Sequence, residues 1–378
     1  MILISLLEKL VSFPSVTPLS AGSIDFIKKF LKKSNFLIKE KTFSSKVNKV
    51  ENIYAKFGKG EKNICFLGHL DVVPVGNVSD WKYSPFSLTK KNGFLYGRGV
   101  VDMKGPICAF LSAFDQIKHE IKNISVSILL TTDEEGPAEN GVKKMFPWIL
   151  SQKEKIDFVI AGEPTYRENL YDNIAIGRRG SANFLLKIYG KQGHVAYDSS
   201  FKNPIYQSIK VIQSLKKRKI DLGNKYFPPS SLQVTSFDCK NDVTNLIPQS
   251  AEIRFNVRFN NNFTEEKIKT FIENIIKEQN VDYDLSCEIP SLPFLAKKSE
   301  YLNILLKSVE KITNNTPNLT TDGATSDLRF IFQHCPCAEF GLDYTKAHQV
   351  DESVNEKDLL NLSLIYKTFL QMCERQTL

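Results

Sequence analysis

Three strand-length stretches of this chain are apolar through their middles, and each ends on ionisable residues. Residues 62–68 lead into His69-Leu70-Asp71. Ile124 to Thr132 is rich in β-branched residues and closes on Asp133-Glu134-Glu135-Gly136. Ile156 to Ala161 closes on Gly162-Glu163-Pro164. Such runs, bounded by Gly and Pro, read as strands buried on both faces. Alternated with amphipathic helices they predict an α/β fold, a mostly parallel sheet covered by helices. In such sheets functional residues gather at the carboxyl ends of the strands.

The remaining periodicities fill in this outline. Helices are expected at 2–13, 22–34, 105–121 and 139–151, and strands at 36–42 and 50–57. The texture changes near Gly177. Residues 181–190 alternate apolar and polar, and a glycine-rich turn, Gly190-Lys191-Gln192-Gly193-His194, follows. A helix at 202–217, strands at 232–238 and 250–259, a helix at 264–278 and a strand at 281–288 give the order β-α-β-β-α-β. This predicts an inserted α+β two-layer domain over 179–293, about 110 residues and an ordinary domain size. Helices at 299–313 and 356–374 then resume the first domain, which spans 1–178 and 294–378.

Composition removes several classes. The net charge is +8, from 50 Lys plus Arg against 42 Asp plus Glu. The lysines are scattered, and no arginine-rich tract with interleaved aromatics occurs, so a nucleic-acid partner is not expected. The excess reads as a solvated surface that also attracts acidic substrates. No apolar run reaches the ~18 residues a membrane span needs. The first ten residues read as an amphipathic helix and not a secretion signal. Seven irregularly spaced cysteines, several in apolar runs, suit reduced thiols and a cytoplasmic location.

At the strand ends and in glycine-marked loops stand His69, Asp71, Asp102, Glu134, Glu135, Glu163 and His348. A lone His beside an Asp is ordinarily a satisfied pair, and a lone Glu-Glu is ordinarily a solvated turn. Seven such groups in one crevice are different, because unpaired buried carboxylates repel and cost several kcal/mol each. One or two divalent cations resolve that cost, and imidazole with carboxylate suits Zn²⁺, Mn²⁺ or Co²⁺. His69, Asp102, Glu135, Glu163 and His348 supply the five or six ligands that two ions sharing a carboxylate need, with room for a bridging water. On an extended chain Glu134 and Glu135 point oppositely, so one holds metal and the other can take a proton from water. Asp71, two residues after His69, can receive the other ring N–H of that histidine.

These residues resemble the motifs of the co-catalytic dinuclear zinc amidohydrolases and peptidases, the family of aminoacylase, acetylornithine deacetylase and the carboxypeptidase G type. Gly68-His69-Leu70-Asp71-Val72-Val73-Pro74 is similar to the first motif. Gly97-Arg98-Gly99-Val100-Val101-Asp102-Met103-Lys104-Gly105 is similar to the second, and Asp133-Glu134-Glu135-Gly136 to the third. Within the family, Gly177-Arg178-Arg179-Gly180-Ser181, Gly190 to Tyr197 and Thr325-Ser326-Asp327 with Arg329-Phe330 resemble the desuccinylase branch.

The resemblance implies a set of roles. Asp102 bridges two Zn²⁺ per subunit, with Co²⁺ or Mn²⁺ able to substitute. His69 and Glu163 complete one metal site, and Glu135 and His348 the other. Asp71 orients His69, Glu134 is general base and acid, and a cis peptide bond precedes Met103. His194 steadies the oxyanion in the partner subunit's site, so a homodimer forms through the inserted lid and dimerisation domain. Arg178, Ser181, Asn245, Arg258 and Thr325 hold a small N-acyl amino-acid substrate, the arginines by bidentate pairing with its carboxylates. The implied reaction is hydrolysis of a succinyl amide on a diamino acid. A rival is deacylation of another N-acyl amino acid, such as acetylornithine, or dipeptide cleavage. The chain departs from the family pattern at Tyr344, Asp198 and Leu328, where Asn, Pro and Gly are usual.

Overall fold

The computed structural model describes residues 2–44, 49–166, 171–200 and 202–376, without the side chains of 198–200. It divides into two compact units, Met1–Ile176 with Ala296–Thr320 and Ser326–Leu378, and Gly177–Leu295 with Thr321–Thr325. In chain order the first unit opens with α1 (Ile2–Val11), α2 (Ser23–Lys33), β1 (Leu37–Ser44), β2 (Lys49–Phe57) and β3 (Lys62–His69). There follow α3 (Lys104–Ile117), β4 (Ile124–Thr131), α4 (Val142–Ser151), β5 (Phe158–Ala161) and β6 (Asn173–Ala175). The second unit holds β7 (Gly180–Tyr189), α5 (Pro204–Lys217), β8 (Ser231–Asp238), β9 (Ser250–Phe259), α6 (Glu265–Lys277) and β10 (Asp282–Ser291). The chain then returns to the first unit for α7 (Glu300–Thr313), β11 (Asn318–Thr320), β12 (Cys337–Glu339) and α8 (Glu356–Gln376).

The first unit is built on an eight-stranded mixed sheet, ordered β1-β2-β4-β3-β5-β12-β6-β11. Its centre, β4-β3-β5-β12, is parallel throughout. This is the expected α/β arrangement, with helices flanking the sheet. β4 is buried at all eight positions, as a strand covered on both faces must be. Phe66 of β3 stacks on Phe110 of α3 at 4.4 Å, and Tyr366 of α8 meets both rings edge-on at 5.7 Å. These edge and stacked pairings join sheet and helices in one core. The short strands β6, β11 and β12 were not expected from periodicity. Helix α4 begins at Val142, later than the spacing suggested, because Asp133 Oδ2 accepts the Asn140 N–H at 2.8 Å and holds the preceding turn.

The chain leaves β3 for β4 on one side and then crosses to β5 on the other, so the strand order reverses at β3. Crevices at such a reversal, outside the carboxyl ends, are where open α/β sheets bind ligands. Register places His69 beside Thr131 and Leu67 beside Ala161, so the three polar tips leave the sheet at one edge.

In the second unit four antiparallel strands are ordered β8-β9-β7-β10, and the central pair, β7 and β9, bury their alternate residues. Phe184, Leu186 and Ile188 of β7 and Ile253, Phe255 and Val257 of β9 pack with Val211 and Leu215 of α5 and with Ile268, Ile272 and Ile276 of α6. Thr264 caps α6 through its hydroxyl, which accepts the Lys267 N–H at 3.3 Å. Among the described residues no helix is long and apolar enough to cross a membrane.

Candidate metal centre and active site

His69 ends β3 and is 1% exposed. Its Nδ1–H donates to the main-chain carbonyl of Asp71 at 2.9 Å. The Asp71 carboxylate is 3.7 Å from that nitrogen and is engaged elsewhere. It accepts the Glu134 and Glu135 N–H groups, each at 3.1 Å. Asp71 therefore orients His69 through its backbone, where a carboxylate contact was expected, and uses its side chain to fix the Glu134-Glu135 turn. With Nδ1 turned to a carbonyl, Nε2 is the ring nitrogen that faces the crevice.

Asp102 stands just before the N-cap of α3, where the helix dipole favours negative charge. Its peptide bond to Met103 is cis. Its two oxygens face two different histidines: Oδ1 is 3.1 Å from His69 Nε2, and Oδ2 is 3.2 Å from His348 Nε2. His348 Nε2 is also 2.8 Å from Glu135 Oε1. His348 has a φ of 64°, the left-handed region that His visits more readily than most residues. Donor atoms of His69, Asp102 and Glu135 lie within 4.8 Å of one another, as do those of His69, Glu134 and Glu163. Glu134 is thus as close to the donor cluster as the residues expected to be ligands.

Electrostatics show what the cluster lacks. Burial pushes Glu134 well above the glutamate range against the pull of His69. Burial, with Glu134 and Asp102 nearby, does the same to Glu163. Burial also raises Asp102, but hydrogen bonds from His348 and His69 outweigh it and hold its carboxyl below the usual range. Hydrogen bonds to Asp102 and Glu135 push His348 up to about 10. Left to themselves these groups gather protons to balance their charges. A divalent cation would do so instead, and the set of imidazole nitrogens and carboxylate oxygens fits one.

Three features of the site escaped the sequence reading. Asp327 is 3% exposed, its carboxylate has no hydrogen-bond partner among the described residues, with the Arg329 guanidinium 4.0 Å away, and burial pushes it up to about 7. Arg98 and Glu352 form a buried ion pair at 2.9 Å behind Asp102. The only available signal was position, since Arg98 lies inside the Gly97–Gly105 motif and Glu352 four residues past His348. Of the departures, Leu328 is buried and Tyr344 is 43% exposed, while the Asp198 side chain lies outside the described residues.

His194, Arg178, Ser181, Asn245, Arg258 and Thr325 all belong to the second unit. Arg178 donates to the Asp322 carbonyl. Ser181 and Arg258 are cross-strand neighbours, and the Ser181 hydroxyl accepts from Asn256 at 3.0 Å. Burial and the Arg179 cation both lower Arg258. His194 is exposed on a short strand paired with Leu246–Ile247, and the Asn245 carbonyl accepts the Val195 N–H at 3.1 Å.

Residues 65–372 match the model of the peptidase family M20/M25/M40. The chain belongs to this family. As an M20 family member it is a hydrolase. It is 46% identical over 368 residues to the succinyl-diaminopimelate desuccinylase of Orientia tsutsugamushi (strain Boryong), covering 97% of this chain and 94% of that one. The M20 metallo-carboxypeptidase Sso-CP2 of Sulfolobus solfataricus shares the fold, with a TM-score of 0.79 at 20% identity and 99% of each chain covered. So does the Bacillus subtilis YXEP protein, a dinuclear metal-binding M20 peptidase, with a TM-score of 0.70 at 14% identity, covering 99% of this chain and 98% of that one.

Proposed function

We propose that this M20 protein hydrolyses the succinyl amide of N-succinyl-LL-2,6-diaminopimelate to succinate and LL-2,6-diaminopimelate, a step of diaminopimelate and lysine biosynthesis. Full-length similarity to a desuccinylase supports the substrate. The observation that carries the mechanism is Asp102, with one oxygen toward His69 and the other toward His348. A carboxylate set between two histidines in this way is suited to being shared between two cations, which supports the reading. On this reading His69 and Glu163 would hold one Zn²⁺ and Glu135 and His348 a second, with the Asp102 carboxylate available to both. When bound, the ion pair supplies Lewis-acid polarisation of the amide carbonyl and activation of a water.

The chain's own residues do the rest. Glu134, which burial raises above the ordinary glutamate range, takes the proton of the attacking water. As the C–N bond breaks, Glu134 returns that proton to the leaving amine nitrogen. Asp71 holds His69 by its carbonyl and Glu134 by its carboxylate, so base and ligand keep one spacing. Arg178, Arg258, Ser181, Asn245 and Thr325 bind the substrate's carboxylates and polar groups. The mutual repulsion of Arg258 and Arg179 favours an anionic ligand there. His194 steadies the oxyanion across a homodimer formed by the inserted unit, and the enzyme works in the cytoplasm.

The test is hydrolysis by chelator-stripped and Zn²⁺-restored protein, with N-acetylornithine as control. Zinc-dependent turnover of the succinylated substrate, with little of the control, is expected. Turnover of the control alone would reassign the substrate to another N-acyl amino acid. Turnover that survives complete metal removal would overturn the mechanism.

A further inference from the structure

We propose that the buried Arg98–Glu352 pair is a positioning device for one of the two metal sites, the one completed by Glu135 and His348. The assignment rests on the dinuclear reading above. Glu352 is 1% exposed, and its carboxylate gathers four hydrogen bonds from one loop. Oε2 accepts from Arg98 Nη1 at 2.9 Å and from the Gly99 N–H at 3.0 Å. Oε1 accepts from the Val101 N–H at 2.8 Å and the Asp102 N–H at 3.3 Å. The loop that presents Asp102 is thus folded around a single carboxylate.

Arg98 ties that loop to the other ligand. Its Nη1 also donates to the carbonyl of Gln349, the residue after His348, at 3.1 Å. Its guanidinium lies over the Trp81 ring, 5.0 Å from the centroid. The Glu352 carbonyl accepts the Gly97 N–H at 3.0 Å, and Ser353–Asn355 pairs in antiparallel register with Phe94–Tyr96. Asp102 and His348 therefore sit on two loops joined backbone to backbone, which sets the 3.2 Å between Asp102 Oδ2 and His348 Nε2. Nothing comparable is needed on the other side. His69 and Glu163 follow β3 and β5, which pair directly. That asymmetry is the content of the proposal: Asp102 serves both sites, but only the site completed by His348 has both its shared carboxylate and its histidine held by the clamp, so loss of the clamp weakens that site more than the other.

Calorimetric titration of the chelator-stripped full chain with Zn²⁺, repeated with Co²⁺ for its visible spectrum, tests this. Glu352→Gln puts an amide donor against the Gly99 and Arg98 donors at almost unchanged volume. It should weaken the site completed by His348 by about 10- to 100-fold, the usual cost of losing a partner behind a ligand, and weaken the other, which shares only Asp102, several-fold less. kcat should fall with little change in KM. Arg98→Lys, which keeps the charge but not the fork, should weaken the same site less, and it carries the test if Glu352→Gln fails to fold by circular dichroism. Equal weakening of both sites, or of neither, overturns the assignment while the dinuclear reading stands. Fewer than two ions on the unmodified chain overturns both.

Discussion

At the scale of single residues, the proposed division of labour between Glu134 and Glu135 rests on one neighbour. Asp71 grips both of their N–H groups, so the turn cannot rotate, and Glu135 is left beside His348 while Glu134 lies beside Glu163 and His69. Glu134→Gln keeps the shape and removes the proton acceptor. It is expected to lower kcat by about 10²- to 10⁴-fold, the range for a lost general base. Two ions should still bind in calorimetry. A variant that loses an ion along with activity would make Glu134 a ligand and end its assignment as base. The histidines and carboxylates were legible in the sequence because each follows an apolar strand or a glycine. Arg98, Glu352 and Asp327 were not, because a charged residue gives no sign of burial until the elements around it are assembled.

At the scale of elements, the site depends on how α3 begins. A Cβ on Gly105 would stand 2.1 Å from the Val100 carbonyl oxygen, a backbone atom that cannot swing aside. Gly105→Ala should therefore push the helix start away from the Asp102 loop. A stability loss of about 1–3 kcal/mol is expected from the overpacking, seen as a lower melting temperature, together with a fall in kcat as Asp102 shifts. Unchanged melting and activity would show that the helix start has slack. The long elements were readable from period alone, since α1 repeats its leucines at helical spacing and β9 alternates strictly. The three-residue strands β6, β11 and β12 were not, because three residues carry no period and their pairing comes from strands far away in sequence.

At the scale of the whole molecule, the charge cluster couples stability to pH. Glu134 and Glu163 are raised well above their ordinary value of 4.5, so the folded, metal-free chain binds protons that the unfolded chain releases. Stability then falls as pH rises past that value. His348, raised to about 10 from 6.5, acts with the same sign. Asp102 acts oppositely, but only below its ordinary 3.8. The melting temperature of stripped protein should fall between about pH 5 and pH 9, and a divalent cation taken up by the folded site, with Zn²⁺ as the probe, should restore it. Scanning calorimetry at several pH values checks this, and a flat or rising profile without metal would contradict it.

The cluster also bears on how the chain reaches its folded state. Glu135 and His348 touch although they stand 213 positions apart, and Glu352 reaches back 250 or more to the Asp102 loop. On the ribosome, most of the sheet can emerge and pair while the crevice still lacks its last imidazole. The centre is therefore completed only once the chain has reached His348. Contacts of such long range are slow to form. A truncated product, however well its early strands have packed, would carry an unbalanced pocket of acids in place of a working centre.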